Sequence, residues 1–138
     1  MGHADGTTER RAPAAVMVAI AAGGALGAPA RYEVAQLVHV TSDTFPWATF
    51  VTNLAGAFVL GLFLTLVLER LPPTRYLRPF FAIGFLGAFT TFSTMAVETV
   101  TLVKDGDAVL GVGYLLASVG AGLVVTYLGI VLARRRTA

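Results

Sequence analysis

Apolar residues fall into four long runs, each bounded by clusters of proline, glycine or charged side chains. The runs cover about Ala14 to Val38, Trp47 to Leu68, Tyr76 to Lys104 and Ala108 to Ala133. Each is long enough to cross a hydrocarbon layer of roughly 30 Å as a helix, which takes about 20 residues. The links carry turn and helix-end chemistry: Thr41, Ser42, Asp43 and Pro46 before Trp47, Pro72 and Pro73 after the second run, and Lys104-Asp105-Gly106-Asp107 before the fourth. The pattern predicts an all-α integral membrane protein with one four-helix domain, residues 14–133, between a polar N-terminal tail, 1–13, and a basic C-terminal tail, 134–138. Arg10 and Arg11 ahead of an alanine-rich run also imitate a secretory signal peptide. Removing that run would leave an odd number of spans, and Gly23 with Gly27 gives it a small-xxx-small packing face of its own.

The third run holds the stretch unlike its surroundings, Gly84-Phe-Leu-Gly-Ala-Phe-Thr-Thr-Phe-Ser-Thr94. Glycines and adjacent hydroxyl residues are poor helix formers, and they stand where lipid offers the backbone no hydrogen bonds. At about 29 residues the run is long for one straight span, which fits a helix broken in its middle. Irregular backbone at that depth needs burial in protein or a wet cavity, so freed carbonyls and hydroxyls would face a partner or an ion. A continuous helix packed tightly through small residues is the plainer alternative.

Polar residues elsewhere share helical faces. Thr49, Asn53 and Gly56 line one face of the second span, and Asn53 is either a contact between helices or an amide donor aimed into a polar pathway. Thr91, Thr94 and Glu98 recur at helical spacing; Glu98 is a functional candidate as an intramembrane carboxylate, or lies at a water-exposed span end. Tyr114, Ser118 and Thr126 form a stripe on the fourth span, lining a pathway or bonding to their own helix carbonyls.

Composition removes whole classes of function. The 138 residues are 56% hydrophobic and 13% charged, which excludes an ordinary soluble domain. No cysteine is present, so thiol chemistry and thiolate metal sites are absent, and His3 and His39 in polar flanks are poor metal candidates. A net charge of +2 gives no reason to expect nucleic acid. No Walker, Rossmann, zincin or nucleophile-elbow spacing occurs, so an enzyme is not expected. The basic residues bear on topology: Arg10, Arg11, Arg70, Arg75, Arg78, Arg134, Arg135 and Arg136 fall on one side of a four-span chain, against Arg31 and Lys104 on the other. The positive-inside rule then places both termini in the cytoplasm.

These residues together resemble the Fluc/CrcB fluoride channels, small four-span proteins of bacteria. The match rests on Gly23-Gly24-Ala25-Leu26-Gly27-Ala28 with Arg31-Tyr32, on Thr49, Asn53, Gly56 and Gly61, and on Gly84 to Thr94, and it covers about Gly23 to Thr126. The resemblance implies an antiparallel dimer in the bacterial inner membrane that exports fluoride passively, with a structural Na+ at the dimer centre held by the backbone carbonyls of Gly87 and Thr90. It further implies a fluoride pathway along Asn53, Phe92, Ser93, Thr94, Met95, Tyr114, Ser118 and Thr126, with Arg31 near an entrance. Met95 and Gly122 are departures, standing where the family pattern has a second phenylalanine and a serine. Neutral donors and phenylalanine edges suit such conduction, because a small anion must shed water without being trapped by a full cation.

The strong charge asymmetry sits poorly with a homodimer that inserts both ways, so the expected partner is either a second copy or a related, oppositely oriented subunit. Two other classes remain as alternatives. Met95 and Gly122 motivate a non-conducting or partner-dependent subunit. A proton-coupled small multidrug exporter would need a carboxylate inside its first span, and Ala14 to Ala30 holds none.

Overall fold

The computed structural model describes residues 6–38, 45–70 and 75–135. His3, His39, the Thr41 to Asp43 link, Pro72, Pro73 and Arg136 lie outside the described residues. The described chain is all helical: α1, Gly6–Leu37; α2, Trp47–Arg70; α3, Pro79–Leu86 wound as a π-helix and continued by Gly87–Phe89; α4, Phe92–Lys104; and α5, Ala108–Arg135. Helix α1 starts at Gly6, so the run read from sequence as a tail is helical from there, while the stretch apolar enough to span runs from Pro13 to Leu37. Four stretches are long and apolar enough to cross a membrane: Pro13–Leu37, Trp47–Val67, Pro79–Lys104 and Ala108–Arg135. The protein is therefore a multi-pass membrane protein.

The third span is shared between two neighbours. Its first part, α3, lies along α1, and its second part, α4, lies along α5, which also packs closely on α2. Glycine makes both close pairings. A side chain at Gly23 would run into the Phe80 carbonyl, and one at Gly84 into the Ile20 carbonyl, so α1 and α3 meet backbone to backbone. Gly61 and Gly129 do the same for α2 and α5, against the carbonyls of Thr126 and Phe58. With lipid tails as apolar as leucine, such contact gains dispersion and weak hydrogen bonds that larger side chains would hold apart.

Aromatic side chains fill the remaining seams. Phe81, Phe85 and Phe89 stack along α3 with ring centroids 5.4 and 6.0 Å apart, and Phe63 of α2 meets Phe81 at 4.4 Å. At the other end, α4 passes to α5 through Asp105 to Asp107, where Gly106 takes φ +99° and so turns the chain without the Cβ penalty of another residue. The ends of α2 and α5 lie side by side, tied by Arg134 Nε to Glu69 Oε1 at 3.1 Å on the exposed surface. Replacing Gly61 or Gly129 by alanine should lower stability by about 1–3 kcal/mol through overpacking, seen as a lower unfolding midpoint in detergent; unchanged midpoints would contradict this backbone contact.

Candidate functional site

Between α3 and α4 the backbone leaves the helix for two residues. Thr90 has φ −83° and ψ 156°, and Thr91 has φ −147° and ψ 116°. In an uninterrupted α-helix the Thr91 N–H would bond the Gly87 carbonyl and the Thr94 N–H the Thr90 carbonyl. Both donors go elsewhere. Thr91 N–H donates to Asn53 Oδ1 at 2.8 Å, and Thr94 N–H donates to Thr91 Oγ1 at 3.1 Å as the N-cap of α4. Asn53 Nδ2 also donates to the Thr91 carbonyl at 3.0 Å, so one side-chain amide pairs with both main-chain groups of Thr91.

Asn53 stands on the α2 face that carries Thr49 and Gly56, and each of the three meets the third span. Gly56 leaves room for the Thr90 side chain, whose Cγ2 would collide with a Cβ there. Thr49 Oγ1 donates to Glu98 Oε1 at 2.7 Å, while Tyr114 OH donates to Glu98 Oε2 at 2.7 Å. The carboxylate thus joins α2, α4 and α5. Tyr114 is completely buried, and Phe45 meets its ring edge-on at 5.2 Å, within a cluster that includes Trp47 and Phe50. Glu98 was a functional candidate from its helical spacing with Thr91 and Thr94; nothing along the chain marked Phe45.

Two cavities meet at Thr91. The larger, about 370 Å³, is lined by Asn53, Gly87, Thr90, Phe92, Met95, Ser118, Gly122 and Thr126. The smaller, about 240 Å³, is lined by Arg31, Tyr32, Thr49, Thr52 and Thr94. Thr91 lines both, so the extended residues and their Asn53 clasp form the partition. Ser93 lines neither cavity, and its hydroxyl lies 3.2 Å from Thr91 Oγ1. Tyr114 also lines neither, since its hydroxyl is turned to Glu98.

The α5 stripe consists of three different situations. The Thr126 hydroxyl donates within its own helix, to the Gly122 carbonyl at 2.8 Å, with the Ala57 carbonyl at 3.3 Å. Ser118 is only 6% exposed, and its Oγ has no hydrogen-bond partner. A buried hydroxyl without a partner beside a cavity is a donor available to a guest. At Gly122 a Cβ would meet nothing within 4 Å, so the wall between Ser118 and Thr126 is open. Met95 is buried against the same cavity, whereas Phe92 is 73% exposed at its edge. Among the described residues no cluster of three or more histidine or acidic side chains could hold a metal ion.

The Glu98 junction yields a direct test. Tyr114→Phe and Thr49→Val each leave one carboxylate oxygen without its hydroxyl, at an expected cost of about 1–3 kcal/mol in unfolding free energy. Because both act on one carboxylate, the double variant should depart from additivity by about 0.5 kcal/mol or more. Additive losses would show that the two bonds are independent.

Comparison with known proteins gives a consistent picture. The family model described as CrcB-like protein, Camphor Resistance (CrcB), matches residues 18–130. A Streptomyces avermitilis protein named fluoride-specific ion channel FluC 3 is 47% identical over 119 residues, which are 86% of this chain and 58% of that protein's length. A Mycolicibacterium paratuberculosis protein named fluoride-specific ion channel FluC 1 is 45% identical over 119 residues, covering 86% of this chain and 90% of that protein. A Magnetococcus marinus protein named fluoride-specific ion channel FluC is 41% identical over 116 residues, 83% of this chain and 94% of that protein.

Proposed function

The chain belongs to the CrcB-like family, a family of membrane channels rather than enzymes, and from that membership we propose that it conducts fluoride passively across a bacterial inner membrane. The observation that carries the reading is the 370 Å³ cavity, where neutral donors converge without a buried cation. Asn53 keeps one amide N–H beyond the one used on Thr91, and Ser118 has an uncommitted hydroxyl. Phe92 adds the electropositive edge of its ring. Weak, sequential donors let a small anion leave each site as readily as it enters. Arg31, at the second cavity beside Thr49 and Thr94, is the entrance cation that concentrates anions ahead of the partition. Ser93 and Tyr114 act from behind this lining, Ser93 on Thr91 and Tyr114 through Glu98, while Thr126 lines the cavity with its proton already used on the Gly122 carbonyl.

The working unit is an antiparallel dimer whose third spans are interrupted at mid-membrane. The exposure of Phe92 and the open surface at Gly122 support a second subunit closing the cavity. A structural Na+ fits this unit, because the donors that would complete helical bonds to the Gly87 and Thr90 carbonyls are both taken by side chains. The Gly87 and Thr90 carbonyls would hold it as neutral oxygen ligands, and it would supply a cross-tie between the subunits. Liposomes holding the purified chain should release fluoride and retain chloride. Phe92→Ile should slow fluoride release about tenfold, the loss of about 1.4 kcal/mol of stabilisation in transit. Chloride release at a comparable rate, or unchanged fluoride release in Phe92→Ile, would contradict this pathway.

A second reading concerns the partner. Eight arginines on the side of the termini against Arg31 and Lys104 opposite favour insertion with both termini in the cytoplasm. Under this reading the chain pairs with a related subunit of opposite orientation, which supplies the donors that Met95 and Gly122 lack. Tags on the two termini should then be accessible only from the cytoplasmic side in native membranes. Equal populations facing each way would instead establish dual topology and a homodimer.

A further inference from the structure

An α-helix satisfies its own carbonyls, so a main-chain cation site in the middle of a span must be actively kept open. The donors nearest to Gly87 and Thr90 are the N–H groups of Thr91 and Thr94, four residues on. Left alone in lipid they would close the helix, because an unmade backbone hydrogen bond there costs several kcal/mol. What intercepts them is specific. Asn53 Oδ1 takes the Thr91 N–H at 2.8 Å, and Thr91 Oγ1 takes the Thr94 N–H at 3.1 Å.

We propose that Asn53 and the Thr91 hydroxyl are positioning residues for the cation site, each holding one carbonyl free by capturing the amide that would otherwise bond to it. The inference rests on the reading that Na+ sits at the Gly87 and Thr90 carbonyls, and it gives Asn53 a second task beside its place in the anion cavity. The two tasks use different atoms. The oxygen of the amide acts on Gly87 through the Thr91 N–H, and the nitrogen faces the Thr91 carbonyl with one N–H to spare. Gly56 completes the device: a Cβ there would meet the Thr90 side chain, so its absence lets α2 accommodate Thr90 while Asn53 reaches Thr91. Anion pathway and cation centre are thereby joined through a single side chain, 38 residues away in sequence from the backbone it holds.

The test reads cation binding without relying on flux. In detergent, Na+ should raise the unfolding temperature of the full-length protein and slow amide exchange across residues 84–94, in place of a large inert cation at equal ionic strength. Asn53→Ala frees the Thr91 N–H to bond Gly87, and Thr91→Ala frees the Thr94 N–H to bond Thr90. Each should raise the half-saturating Na+ concentration about tenfold, as expected for one ligand oxygen withdrawn. Thr91→Ser keeps a hydroxyl for the Thr94 N–H, so it should hold the Na+ response within about twofold of the wild type. Phe92→Ile should leave the Na+ response unaltered. Na+ protection that survives unchanged in both alanine variants overturns this inference alone. A wild-type protein indifferent to Na+ overturns the cation reading together with it.

Discussion

Everything distinctive in this structure depends on where the backbone donors and acceptors near Thr91 find partners. In water a two-residue gap in a helix is filled by solvent; within lipid it must be filled by protein. Here one asparagine amide on α2 satisfies both main-chain groups of Thr91, and the Thr91 hydroxyl caps the helix that follows. That clasp does three things at once. It ends α3, starts α4, and leaves the third span facing two cavities that meet at Thr91.

The rest of the fold serves to hold the clasp in place. α3 is fixed to α1 through Gly23 and Gly84, and α4 is fixed to α5, so the two parts of the third span belong to different packing units. Helix α2 bridges them. Its Thr49, Asn53 and Gly56 face reaches Glu98, Thr91 and Thr90 in turn. A half-buried carboxylate with two hydroxyl donors is satisfied without a cation, so the Glu98 junction can brace α2, α4 and α5 without a partnering positive charge.

Met95 and Gly122, which the resemblance marks as departures, have different structural consequences. Met95 is packed out of sight against the larger cavity, so the change there replaces a ring edge by a thioether without leaving a void at its own position. Gly122 leaves open space beside Ser118, whose hydroxyl has no partner. The lining is therefore thinnest on α5, the helix that also presents exposed Leu116, Val119 and Leu123.

The four spans were legible in the chain because the hydrophobic requirement of a bilayer is written locally, in about 20 consecutive residues at a time. The glycine faces and the common face of Thr49, Asn53 and Gly56 were legible for the same reason, since helical periodicity alone brings such residues together. Nothing local showed that Asn53 would pair with both main-chain groups of Thr91. That pairing follows from the position of Thr91, because a hydrogen bond depends on where α2 and the third span lie relative to each other. The α5 stripe shows the same division. Periodicity aligned Tyr114, Ser118 and Thr126, but tertiary structure turned the first to Glu98, left the second uncommitted and returned the third to its own helix. Sequence determined which residues shared a face; only packing between helices decided which of their polar groups remained free, because each has few hydrogen bonds to make and its nearest partner takes the first.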